Sequence, residues 1–248
     1  ENNKNHLTLI VSGKFSARCG RLSTVLNLLD NATYIGGTFK QLWAEQGGKF
    51  NGRVIEAQVP MSATLLETHQ SLPLAEIVRS INKYSNNIAA RQLYLALGTG
   101  GDVENNSPAT LEKSHLALQA WLSSKRLNFP ELVVENGSGL SRKERISARH
   151  MGKVLVSAYQ SPVMPEFISS LPIAAADGTL KSRYGGTSAK GRAHLKTGAL
   201  DNVRAIAGYV LDHAGNRHVV VFFVNYAHAE KSRSTMDALV QWIAKQAQ

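Results

Sequence analysis

Ala193-His194-Leu195-Lys196-Thr197-Gly198-Ala199-Leu200, followed by the apolar segments Val203 to Leu211 and His218 to Tyr226, decides how this chain is read. Residues 191–197 read as one strand. The two segments after it read as further strands, joined by a hairpin at Asp212-His213-Ala214-Gly215-Asn216-Arg217. Lys196-Thr197-Gly198 therefore sets a cation, a hydroxyl and a residue without a side chain next to one another near a sheet edge. On a regular strand Lys196 and Gly198 face one way and Thr197 the other, and Gly198 lets a substrate come close to the backbone. An enzyme that holds a carboxylate-bearing substrate against a strand needs such a set. A lone Lys-Thr-Gly is also common at ordinary strand ends, so the triplet gains meaning only from companions.

Working outward, the sequence before this sheet is mostly helical. Leu74, Ile77, Val78 and Ile81 are spaced for one buried helix face. Asn82-Lys83-Tyr84-Ser85-Asn86-Asn87 interrupts that pattern, because Asn and Ser compete with the helical backbone. Ser85 is expected to cap a second helix from Ile88 to Leu97, ended by Gly98. Gly98 to Pro108 reads as a loop and Ala109 to Ser124 as a helix. Glu131 to Glu135 reads as a short strand, Asn136 to Gly139 as a tight turn, and Ser147 as the cap of a helix reaching Tyr159. Ser232 or Ser234 is expected to cap a closing helix through Gln248. Nearer the start, Leu7 to Phe15 and Gly52 to Pro60 read as strands on either side of a helix from Thr33 to Gln46. Helices followed by neighbouring antiparallel strands and a terminal helix predict an α/β sandwich rather than a dinucleotide-binding fold.

Bulk properties narrow the function classes. The chain has 248 residues, 43% hydrophobic, without a low-complexity tract or repeat, enough for one domain or one and part of another. Its formal charge of +10 favours anionic partners, whether nucleic acid, anionic lipid or acidic polymers such as those of a bacterial wall, and equally serves solubility. The cations are scattered, and no aromatic-interleaved basic run marks a nucleic-acid surface. Cys19 is the only cysteine, so no disulfide within the chain reports the compartment. The eight His residues show no zinc-binding spacing such as His-Glu-x-x-His. No apolar stretch approaches a membrane span. The polar start at Glu1, without Met, suggests a processed product or a fragment.

Four segments together carry a resemblance. Ser80-Ile81-Asn82-Lys83-Tyr84-Ser85-Asn86-Asn87-Ile88-Ala89-Ala90, Glu135-Asn136-Gly137-Ser138-Gly139-Leu140-Ser141-Arg142, Ala176-Asp177-Gly178-Thr179-Leu180 and Lys196-Thr197-Gly198 resemble, in order and spacing, runs of the DacB-type class C low-molecular-mass penicillin-binding proteins. The agreement extends from about Ala32 to Tyr226. The family contains serine-type D-alanyl-D-alanine carboxypeptidases/endopeptidases of bacterial peptidoglycan. The resemblance implies a β-lactamase/transpeptidase-like α/β domain, an antiparallel sheet flanked by helices with a helical subdomain. It implies residues 1–65 as the end of an inserted region and re-entry segment, and 66–248 as the penicillin-binding domain without its N-terminal nucleophile segment.

The resemblance also implies roles. Ser85 would relay a proton to the leaving amine, and Asn87 would orient the catalytic lysine and hold the substrate backbone. Lys196 would keep the site electropositive, Thr197 would bind the terminal carboxylate, Gly198 would admit the substrate, and the N–H of Ala199 would supply half of an oxyanion hole. Two positions depart from the family pattern: Asn86 stands where Asp is commoner, and Ala199 where Ser or Thr is usual. No metal or nucleotide cofactor is implied. The implied partners are peptidoglycan stem peptides, β-lactams and the N-terminal half of the same protein, at the periplasm or outer face of the cytoplasmic membrane.

One part is missing. The family's nucleophile is the Ser of a Ser-x-x-Lys motif, and only Ser80 with Lys83 has that spacing here. On one helix Ser80 and Ser85 would lie about 140° apart at roughly 100° per residue, so Ser80 is rejected. Gly137-Ser138-Gly139 lacks the spacing of a nucleophile elbow and reads as a turn. A β-lactamase-related serine hydrolase and a non-catalytic peptidoglycan-binding fragment are the rival readings.

Overall fold

The computed structural model describes residues 2–3, 6–20, 26–100 and 108–247. The chain divides into two compact units, residues 1–69 and 70–248.

The first unit holds little regular structure. β1 (Asn2–Asn3) pairs antiparallel with β2 (His6–Leu7), and Ala17–Cys19 is one turn of 3₁₀ helix. α1 (Asn31–Glu45) starts at Asp30, whose carboxylate accepts the Thr33 N–H at 2.9 Å, and gives way to Gly47-Gly48. Phe39 stacks on Trp43 and meets Phe50 edge-on. The strand expected over Leu7 to Phe15 is present only at its first residue, and none forms over Gly52 to Pro60. Ile55 and Val59 are exposed there. Alternation alone does not make a strand without a neighbour to take its hydrogen bonds and cover its apolar face.

The second unit is built on a three-stranded antiparallel sheet in the order β3 (Ala193–Leu200), β4 (Val203–Leu211), β5 (Arg217–Asn225). β3 runs three residues past its expected end, because Asp201-Asn202 turns it directly into β4 with Leu200 opposite Val203. At the other hairpin the Asp212 carboxylate accepts from the Asn216 N–H at 2.7 Å and lies 2.7 Å from His218 Nε2.

The sheet buries both faces. α7 (Arg233–Ala244) covers one with Met236, Val240 and Ala244, against Ala193, Leu195, Ile206, Val210 and Val220. α5 (Ala148–Tyr159) and α6 (Met164–Ser170) cover the other, where Leu155 and Leu171 pack on Tyr209. Each fully buried aliphatic side chain contributes about 1.5–3 kcal/mol relative to exposure. α7 lacks the side-chain cap expected of Ser232, and Gln248 lies outside the described residues.

Helices α2 (Leu74–Tyr84), α3 (Asn87–Leu97) and α4 (Leu111–Ser124) precede the sheet. Thr110 caps α4 by accepting the Lys113 N–H, and Ser147 caps α5 as expected. The loop expected from Gly98 lies mostly outside the described residues, at 101–107. Glu131 to Glu135 reduces to a single bridge, Val133 with Arg145.

Candidate active site

α2 ends where its sequence turns to Asn and Ser. Ser85 terminates it in the left-handed conformation, φ 56° and ψ 48°, with its N–H still bonded to the Ile81 carbonyl. A residue in that conformation cannot serve as an N-cap, which needs extended backbone. The cap of α3 is Asn86 instead, at φ −77° and ψ 97°, whose side-chain oxygen accepts the Ala89 N–H at 3.0 Å. This corrects the expectation for Ser85 and gives the middle residue of the triplet its task. Asn86 is spent on the helix, while Ser85 and Asn87 carry their side chains into a cleft.

That cleft, about 350 Å³, lies between the α2–α3 break, the 137–140 turn and residues 196–199 of β3. Lys196 Nζ donates to Ser85 Oγ at 2.8 Å and to the Thr197 carbonyl at 2.9 Å. Lys196 is half-buried, and burial holds its ammonium below the ordinary lysine range. Asn87 Nδ2 donates to the Ser138 carbonyl at 2.6 Å. Ser85, Asn87, Lys196, Thr197, Gly198 and Ala199 all line this cleft.

β3 is the edge of its sheet, and its outward hydrogen bonds follow from its register. The Leu195 N–H points away from β4, to the Pro172 carbonyl at 2.9 Å. By the two-residue alternation of an antiparallel strand, the N–H groups of Thr197 and Ala199 also point out of the sheet, toward the cleft. Backbone donors there suit an oxygen that gains negative charge.

The 136–142 segment is a turn held by its own polar atoms. Asn136 Oδ1 accepts the Ser138 N–H at 2.9 Å, and Ser138 Oγ accepts the Leu140 N–H at 3.2 Å. Gly137, at φ 72°, lies against Tyr94, so that a Cβ there would stand 2.4 Å from the Tyr94 Cβ. Arg142 Nη1 donates to the Asp201 carbonyl at 2.7 Å and ties the turn to the β3–β4 hairpin.

Lys83 is no partner of Ser80. Its ammonium is buried, donating to the Leu171 carbonyl at 2.6 Å and meeting the two Asp177 oxygens at 2.8 and 2.7 Å, while Ser80 is exposed. Burial opposes charge on Asp177, but the Lys83 ammonium and the Ile173 N–H outweigh it and hold the carboxyl below its usual range. Gly178 (φ 55°) sits so close to α2 that a Cβ would lie 2.7 Å from the Lys83 carbonyl. Asp177 and Gly178 thus fix the end of α2 from which Ser85 projects. The sequence marked both residues within a resembling run but gave no sign of their partner 94 residues away.

His194 faces α6, half-buried, with Nδ1 3.2 Å from the Ile168 carbonyl. A larger cavity of about 570 Å³ lies against β4 and β5, away from all six candidate residues. On its wall the Glu131 carboxylate accepts the Ser147 backbone N–H at 3.0 Å. Among the described residues no cluster of His, Cys, Asp and Glu could hold a metal ion.

The profile of the D-Ala-D-Ala carboxypeptidase 3 (S13) family matches residues 1–246. The chain belongs to this family. D-alanyl-D-alanine carboxypeptidase DacB of Haemophilus influenzae is 30% identical over 200 residues, 79% of this chain and 41% of the relative. The D-alanyl-D-alanine carboxypeptidase of Actinomadura sp. (strain R39) is 29% identical over 211 residues, 82% of this chain and 38% of the relative. Penicillin binding protein 4 (dacB) from H. influenzae, solved with a bound β-lactam, superposes with a TM-score of 0.70 at 26% identity, covering 88% of this chain and 51% of the other. The S13 chain described here therefore spans about two fifths of the length of these curated relatives. Among its described residues no helix is long and apolar enough to cross a membrane.

Proposed function

We propose that this chain supplies the binding wall and proton relay of a penicillin-sensitive, serine-type D-Ala-D-Ala carboxypeptidase/endopeptidase acting on peptidoglycan stem peptides. The observation that carries the reading is the 2.8 Å bond from Lys196 Nζ to Ser85 Oγ across a cleft that Asn87 also lines.

A hydroxyl that accepts a hydrogen bond from a cation directs its own proton elsewhere. Ser85 is thereby set to pass its proton to a leaving amine and to be resupplied. The outward N–H of Ala199 faces the developing oxyanion, Thr197 binds the terminal carboxylate, and Asn87 holds the substrate backbone. The nucleophile attacks the penultimate D-Ala carbonyl, expels the terminal residue and forms an ester that water hydrolyses. Ser80 is not that nucleophile, since Lys83 is committed to Asp177. The attacking serine belongs to the N-terminal part of the longer polypeptide, residues 1–65 to the end of its inserted region, and 66–248 to its penicillin-binding domain. The site of action is the periplasm or outer face of the cytoplasmic membrane, where a net charge of +10 suits an anionic wall.

Fluorescent penicillin tests this. The 248-residue chain alone stays unlabelled, whereas the longer polypeptide is labelled and its Lys196→Ala variant loses labelling at least about 100-fold while remaining folded. Labelling of the short chain that vanishes in Ser80→Ala would overturn the assignment of the nucleophile. Unchanged acylation in Lys196→Ala would remove Lys196 from the site.

A further inference from the structure

A second cavity, about 200 Å³, opens on the α7 side of β3. Three arginines line it, Arg183, Arg204 and Arg233, with the hydroxyl-bearing Thr179 and Thr197 and no acidic residue. It shares Thr197, Gly198 and Ala199 with the candidate active site.

The three arginines are not equivalent. Arg183 is neutralised from behind, with Nε and Nη2 2.7 and 2.6 Å from Asp237 Oδ1. Arg204 is the cross-strand partner of Ala199, so both side chains leave the same face of the sheet. Its Nη1 donates to the Leu200 and Val203 carbonyls at 2.7 Å each, which anchors the fork at the hairpin. Its Nε and Nη2 make no hydrogen bond among the described residues. Glu230, paired with His228 at 3.4 Å, feels the Arg204 charge but does not line the cavity. The side chain of Arg233, at the head of α7, makes no hydrogen bond or ion pair among the described residues, while its backbone N–H bonds the Glu230 carbonyl. Two arginines whose guanidiniums keep open donors thus line a pocket that begins beside Ala199, the position that lacks the hydroxyl usual in the resembling family.

We propose that this cavity seats the terminal carboxylate of the acyl donor, with Arg204, joined by Arg233 from α7, replacing by a charged fork the hydroxyl that Ala199 does not carry. A guanidinium matches a carboxylate with two parallel donors, where a hydroxyl offers one. The inference rests on the function proposed above, and it makes recognition here depend on the ligand's charge.

Two measurements test it and fail separately. In the longer polypeptide, acylation by benzylpenicillin is compared with acylation by its methyl ester, which has no carboxylate. Arg204→Gln and Arg233→Gln are each expected to slow benzylpenicillin by about 10-fold or more and leave the ester rate unchanged. Adding Ala199→Ser to Arg204→Gln restores most of the loss. Because Arg204 also holds the hairpin, Arg233→Gln, which breaks no bond, guards against a merely structural effect. Equal slowing of acid and ester, or no slowing, overturns the proposal.

In the 248-residue chain, acetate is titrated while the arginine side-chain N–H resonances are followed. Saturable shifts of Arg204 and Arg233, lost in Arg204→Gln, support the cavity, and none at up to about 0.1 M acetate overturns it. If the wild type takes up neither penicillin nor ester, the functional reading falls, and the acetate titration alone still decides whether the cavity binds carboxylate.

Discussion

Ser85 combines two demands in one residue. It ends α2 in the left-handed region and also places a hydroxyl on Lys196. For a residue with a Cβ that conformation costs about 1–2 kcal/mol, a strain that glycine does not feel. Ser85→Gly is therefore expected to be at least as stable as wild type within about 1 kcal/mol, and more stable than Ser85→Ala, which keeps the strain. Both variants lose acylation. Denaturant unfolding of the three proteins checks the order, and Ser85→Ala standing above Ser85→Gly would contradict it.

Lys83 and Asp177 make the opposite kind of contribution, stability without chemistry. Asp177→Asn leaves the Lys83 ammonium buried without its counter-charge and is expected to cost about 2 kcal/mol or more at pH 7. The pH dependence has a definite sign. The folded carboxyl titrates below its unfolded value of about 3.9, so its contribution is complete above that pH and fades as the pH falls through the folded value. The stability gap between wild type and Asp177→Asn, read from urea unfolding, should be constant near neutrality and close below about pH 4. A gap that persists at pH 2 would mean that the pair does not supply it.

Among the elements, the 136–142 turn is the least tolerant part of the cleft. Gly137 has both a positive φ and a Tyr94 side chain where a Cβ would go. Gly137→Ala is expected to lower stability by about 2–4 kcal/mol, visible as a fall in Tm. An unshifted Tm would show that the turn can move off α3. The three strands were legible as elements because their apolar residues alternate and each finds a partner. The same alternation at 7–15 and 52–60 misled, because a pattern does not show whether a neighbouring strand exists. α6 drew no expectation at all: Pro165 inside its first turn reads as punctuation, although proline is tolerated there. At the α2–α3 break both Ser85 and Asn86 have side chains suited to capping. Only the way α2 ends decides which of them does it.

Over the whole molecule, the six candidate residues were singled out by a family resemblance that four ordered segments carry, and the structure puts them around one cleft. What supports them was not. The Lys83–Asp177 pair and the Arg142–Asp201 tie join residues 94 and 59 positions apart, and no local pattern encodes such meetings. The Asn86 side chain answers to α3 rather than to the cleft, so Asn86→Asp should keep the cap and gain about 0.3–1 kcal/mol from a charge at a helix N-terminus.

β3 reads differently from its two sides. Leu195, Thr197 and Ala199 belong to the α7 face, and Lys196 and Gly198 to the other. A single inserted or deleted residue between Ala193 and Lys196 would exchange those faces and drive an ammonium into the place of Leu195. The strand can change residue by residue, yet it cannot change in length by one. Its parity, more than the identity of any one side chain, is what descendants of this sequence are bound to keep.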